Sequence, residues 1–193
     1  MRDGAHRADA APARLIRAGI AALCLVALGG AAQIMGGGSG QTATGPTEDR
    51  VGLPADYRTA FTHLRTTPLE NGTQVLVVYA NDRAASVTDR ANVPYPHGSV
   101  FVAEWRHAVL DETGTPLRDA EGRPRAGDLF QIDVMRREPG FGAAYGEART
   151  GEWEYVRYRT DGRHLIPPAR SQWCAACHRN AGEGRDFVFH GRF

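Results

Sequence analysis

The sequence contains no lysine: all 23 basic residues are arginine. A high-GC genome is enough to explain that bias, but it has a chemical consequence. No step in this protein can use an amine side chain. Net charge is also nearly absent. The 23 basic residues face 22 acidic ones, and the resulting +1 gives no reason to expect nucleic acid or an anionic surface as partner. Cysteine is scarce, at three, and so is methionine, with Met135 alone beyond residue 35. No internal repeat is present. What remains is ordinary globular material. Hydrophobic residues at 42% suffice for a core, and 193 residues suit one domain with extra terminal sequence.

The N-terminus reads as a targeting segment. Arg2, Arg7, Arg14 and Arg17 precede an apolar run from Ala18 to Leu28, and small residues follow from Gly29 to Ala32. That is the order of a secretory signal with cleavage near Ala32. An uncleaved anchor is the open alternative, since the apolar stretch extends to Met35, about the lower limit for spanning a bilayer. In either case the arginines stay inside and the domain is exported. Leu23 before Cys24 is too large for a lipidation site. Residues 1–35 are therefore expected to be signal or membrane anchor, 36–50 a Gly/Ser/Thr-rich flexible linker, and 51–193 the folded domain.

Leu53 to Thr66 reads as one helix, with Pro54 in its first turn and Tyr57, Phe61 and Leu64 forming a stripe. Four strands follow. Thr73–Tyr79 has Val75, Val77 and Tyr79 on one face, and Ser99–Val109 has Phe101, Ala103 and Trp105. Leu129–Arg136 has Phe130, Ile132 and Val134 facing one way, and Glu152–Arg159 is the fourth. Asn81 to Gly98 is a long connection with two prolines, and connections of this length are often functional. Turns rather than crossover helices join the strands. The expected fold is mainly β (α+β): an antiparallel sheet with a short N-terminal helix and a C-terminal helix.

That last helix is inferred from Cys174-Ala175-Ala176-Cys177-His178, the CxxCH pattern of covalent haem attachment. Residues three and four apart share one helical face. Two thiols at that interval reach the two vinyl groups on one ring edge, and the following imidazole meets the iron. A thioredoxin-type pair would sit at a strand–helix junction of a βαβ unit, which this β-rich chain lacks. A zinc site would need a second ligand pair. A disulfide across so short a loop would stabilise little. One haem c, covalently held by Cys174 and Cys177 with His178 on the metal, is the expected cofactor.

No partner for the opposite axial position stands out. Met135 lies on a strand, where methionine is more often core filler. His63, His97, His107, His164 and His190 carry no distinguishing signal, although His97 sits in the long connection. A five-coordinate iron with an open site under an apolar cap fits better.

The chain resembles the cytochrome P-460 family, which includes the cytochromes c′-beta. The marks are Tyr57-Arg58, Tyr79-Ala80-Asn81, Tyr95-Pro96-His97-Gly98-Ser99 leading to Glu104, Met135 through Gly142, Gly151 through Tyr155, Cys174 through His178, and Asp186 through Phe189. The resemblance implies a mainly β homodimer in the periplasm with His178 as proximal ligand. The P-460 enzymes oxidise hydroxylamine and nitric oxide and need a lysine joined to the porphyrin. The matching stretch here, Thr88 to Val93, holds Arg90 and Ala91 nearest that place, and arginine is a poor nucleophile. The resemblance therefore points to the c′-beta type, which binds nitric oxide at a hydrophobic distal face.

Glu104 and Arg137 are the expected catalytic residues of the pocket, serving as a proton relay or a hydrogen bond to a bound ligand, with Arg136 and Glu138 beside them. The structural alternative for Glu104 is a Glu–Arg ion pair that holds the sheet. Phe61, Phe101, Phe141 and Tyr145 are the candidate distal cap. The expected partners are a small nitrogen-oxide ligand and a periplasmic electron carrier. Hydroxylamine oxidation and simple electron transfer remain the competing functions.

Overall fold

The computed structural model describes residues 45–69, 72–189 and 191–193. The expected targeting segment lies outside these, and so do His190 and most of the expected linker. Among the described residues no helix is long and apolar enough to cross a membrane.

Six strands form one antiparallel sheet in sequence order: β1 Thr62–Pro68, β2 Gln74–Ala80, β3 Val100–Ala108, β4 Ala126–Arg137, β5 Trp153–Tyr158 and β6 His164–Ile166. Neighbours in sequence are neighbours in space, so short turns suffice as connections. Among the described residues three short α-helices accompany the sheet: α1 Tyr57–Ala60, α2 Asp82–Ala85 and α3 Gln172–His178.

The expected mainly β fold is what the structure has. The expected helix over Leu53–Thr66 is not. Only Tyr57–Ala60 is helical, and Thr62–Pro68 is a strand paired with β2. The β-branched Thr62, Thr66 and Thr67 favour a pleated strand, and pairing with β2 satisfies the backbone that a longer helix would have satisfied internally. The three-residue strand β6 was not foreseen.

Both faces of the sheet are covered. One carries Leu76, Val78, Ala80, Phe101, Met135, Trp153 and Tyr155, packed by Ala175 of α3 and by Val188. The other carries Val100, Val102, Ile132, Val134, Val156 and Tyr158, packed by Val51, Tyr57 and Phe141. The consecutive buried residues Val75, Leu76, Val77 and Val78 follow from this, because both sides of β2 are inside.

The second face is tied down by three carboxylates. Asp49 accepts from Tyr158 Oη at 2.6 Å and lies 2.8 Å from His164 Nε2. Glu154, fully buried, pairs with the Arg50 guanidinium. Glu104 takes three donors, described below. Asp49 and Arg50 fall in the segment that composition marks as linker, yet they are anchored on the sheet, so the fold begins before Val51.

Candidate functional site

Helix α3 places Cys174, Cys177 and His178 at the first face of the sheet. Pro167 and Pro168 open the short 3-10 turn that precedes it. Tyr145 braces its start: the Tyr145 hydroxyl lies 2.8 Å from Ser171 Oγ and accepts the Tyr155 N–H at 3.2 Å. Ala175 is fully buried against the sheet, while Cys177 is exposed and Cys174 half-buried. Neither described cysteine is in a disulfide. Burial pushes the Cys174 thiol up to about 11, so it is protonated at neutral pH.

The His178 ring lies between Tyr155 and Phe189, with centroids 4.5 and 5.2 Å away. Its Nδ1 is 2.8 Å from the Phe187 carbonyl oxygen, which can only accept. The proton therefore sits on Nδ1 and the Nε2 lone pair is left free. Burial lowers the imidazole's pKa, against the pull of the Phe187 carbonyl, and this favours the neutral form. A neutral ring with one nitrogen donating and the other bare is the arrangement of a metal-ligating histidine.

Beyond His178 lies a cavity of about 280 Å³. Leu69, Leu76, Val78, Phe101, Ala103, Met135 and Val188 give it apolar walls, and Trp105, Asp133 and Arg157 stand at its polar side. The Arg157 guanidinium donates to both Asp133 oxygens at 2.7 and 2.8 Å, and Trp105 Nε1–H donates to Asp133 Oδ2 at 2.8 Å. The donor set suits a haem: two unpaired thiols three residues apart, a neutral imidazole at the fourth, and a largely apolar concave surface beyond them.

Several expected site residues lie elsewhere. Phe101 lines the cavity, but Phe61 and Phe141 belong to the opposite face, where Arg50 sits 4.4 Å over the Phe141 ring. Glu104 is also on that face. It accepts from Tyr57 Oη at 2.6 Å, Arg58 Nε at 2.5 Å and Arg106 Nε at 2.6 Å, and it is fully buried. The ion-pair alternative is what the structure shows. Phe101 and Glu104 have opposite parity on β3, so a pleated strand cannot turn both to one pocket. Arg137 does not line the cavity either. It donates to the Tyr95 carbonyl at 2.5 Å and to Glu152 at 3.1 Å.

Of the candidate sixth ligands, His63 faces Thr66, His97 pairs with Glu152, His107 packs on Phe130 and His164 meets Asp49. None of these four lines the cavity, and Met135 does. Sequence reasoning missed Asp133, Arg157 and Tyr155. The available signal was strand parity: Asp133 shares the face of Met135 on β4, Arg157 shares that of Tyr155 on β5, and the register aligns Ala103, Asp133 and Arg157 in one row.

No curated protein matches the chain. The family model for cytochrome P460 matches residues 54–190, a span that includes all three helices and all six strands. The chain therefore belongs to the cytochrome P460 family, which implies haem as the group its cavity takes.

Proposed function

We propose that this protein is an exported, single-haem c-type cytochrome whose five-coordinate iron binds nitric oxide or a related small nitrogen oxide. One observation carries the reading. His178 offers a bare Nε2 into an apolar cavity, and no described histidine faces it from the other side.

Cys174 and Cys177 would hold the ring edge by thioether bonds and His178 would take the iron. Bound there, the haem would supply an iron centre able to take one small ligand. The chain's own residues do the rest. The Phe187 carbonyl fixes the tautomer and orientation of His178. Leu76, Val78 and Phe101 exclude water and favour a small uncharged ligand over an anion. Met135 pairs in register with Tyr155, the ring on which His178 packs, so it suits core filling beside the imidazole.

Asp133 is the carboxylate at the cavity that could move a proton, but Arg157 and Trp105 already engage both of its oxygens. That supports ligand binding over proton-coupled oxidation. The absence of lysine supports it too, because the porphyrin cross-link of the P-460 enzymes cannot form. Export to the periplasm, a homodimer and a periplasmic electron carrier are part of the same proposal.

Optical spectra of the purified protein, oxidised and reduced, with and without nitric oxide, test it. The expected result is a high-spin, five-coordinate haem that shifts on adding nitric oxide. A six-coordinate, low-spin spectrum in the untreated protein would refute it.

A further inference from the structure

Asp186 (φ 46°) and Phe187 (φ 61°) are consecutive residues in the left-handed region. They are the two non-glycine residues with positive φ among those described. Aspartate tolerates this conformation, whereas a bulky residue is strained in it. Such strain persists only where the surroundings over-determine it, and it gathers at functional sites. Here the strained pair presents one group to the site: the Phe187 carbonyl that takes the His178 Nδ1–H.

The buried Asp186 carboxylate holds that turn from the far side. Its Oδ2 accepts the Tyr95 N–H at 2.9 Å and lies 3.6 Å from Arg137 Nε. Arg137 also donates to the Tyr95 carbonyl and to Glu152. Glu152 in turn takes His97 at 2.6 Å and the Gly140 N–H at 3.1 Å. Asp186 thus ties the turn after α3 to the connection before β3 and to the end of β4.

We infer that Asp186 is a positioning residue for the proximal imidazole. Anchored on Tyr95 and Arg137, it keeps the Phe187 carbonyl where it accepts the His178 proton, and so sets how strongly that imidazole donates to the iron. The inference deepens the haem reading and rests on it.

Three variants of the full-length, haem-loaded protein test it. Asp186→Gly removes the anchor while tolerating the left-handed backbone. Asp186→Asn keeps an acceptor for Tyr95. Arg137→Gln keeps Asp186 and removes the facing charge together with the donors to the Tyr95 carbonyl and Glu152. In the reduced Asp186→Gly protein, the iron–histidine stretch in resonance Raman is expected to fall and broaden, and the reduction potential to rise. Asp186→Asn should return both towards wild type, and Arg137→Gln should shift both less in the same direction. Unchanged stretch and potential in Asp186→Gly overturn the inference. If that variant does not fold, the same result in Arg137→Gln does. The imidazole ¹⁵N shifts of His178 separate the two levels of the argument. A wild-type protein without haem defeats the reading of the site. An Nδ1 ¹⁵N shift unaltered in Asp186→Gly defeats the role of Asp186.

Discussion

Replacing Glu104 by glutamine should destabilise the fold and leave the haem untouched. The carboxylate is fully buried on the face away from the cavity and accepts from Tyr57, Arg58 and Arg106. Glutamine has one acceptor oxygen and turns an amide towards a donor, so at least one guanidinium loses its partner. Breaking a buried pair from one side costs about 3–5 kcal/mol. Arg58 is 49% exposed and Arg106 22%, so both can turn part of their charge to water. That brings the expected loss to about 2–3 kcal/mol, roughly 4–12 °C in Tm for a domain of this size. The loss should depend on pH. Burial raises the Glu104 pKa, but donation from Arg106, Tyr57 and Arg58 outweighs it, and the folded value lies below the ordinary 4.5. The carboxylate's stabilisation is therefore fully present above 4.5 and fades as pH falls through the lower folded value. Thermal melts of both proteins from neutral to acid pH should converge on the acid side. The reasoning is refuted if Glu104→Gln keeps its Tm but changes the haem spectrum or nitric oxide binding.

The two faces can be separated further. Phe101→Ala and Phe141→Ala should each cost about 3–5 kcal/mol in denaturant melts. Only Phe101→Ala should change the rate of nitric oxide binding, measured by stopped-flow absorbance. Met135→Leu should cost under about 1.5 kcal/mol and leave the oxidised and reduced spectra as they were. A spectral change would make Met135 an axial ligand. Asp49→Asn should weaken the fold most at neutral pH and least in acid. Burial raises the Asp49 pKa, but the donors Gly52, Tyr158 and His164 outweigh it and keep the carboxylate below its usual range, a stabilisation lost as pH falls.

The sheet was legible in the sequence because β2 to β5 carry β-branched and aromatic runs bounded by turns. The CxxCH helix was legible because its spacing is its chemistry. Which face carries the site was not. Alternation shows that Phe101 and Glu104 look opposite ways, but both faces are covered, so polarity along the strand does not mark the pocket side. A fully buried glutamate mimics a pocket residue in sequence, and its real partners come from α1 and from β3 itself. The extent of α1 was also misjudged. A stripe at Tyr57, Phe61 and Leu64 satisfies a helical period, yet Leu64 packs with the other face once β1 pairs with β2. The Asp186–Phe187 turn could not be foreseen, since nothing local in Arg185-Asp186-Phe187-Val188 announces a left-handed pair.

The central claim is that two sulfurs near the end of this chain hold a porphyrin while the adjacent imidazole binds its iron. Intact mass spectrometry under denaturing conditions tests it most directly, on protein made in a cell that matures c-type cytochromes. The predicted result is a polypeptide heavier by one haem, reduced to the bare chain when Cys174 and Cys177 are both changed to serine. A wild-type protein that sheds all porphyrin on unfolding would contradict the account.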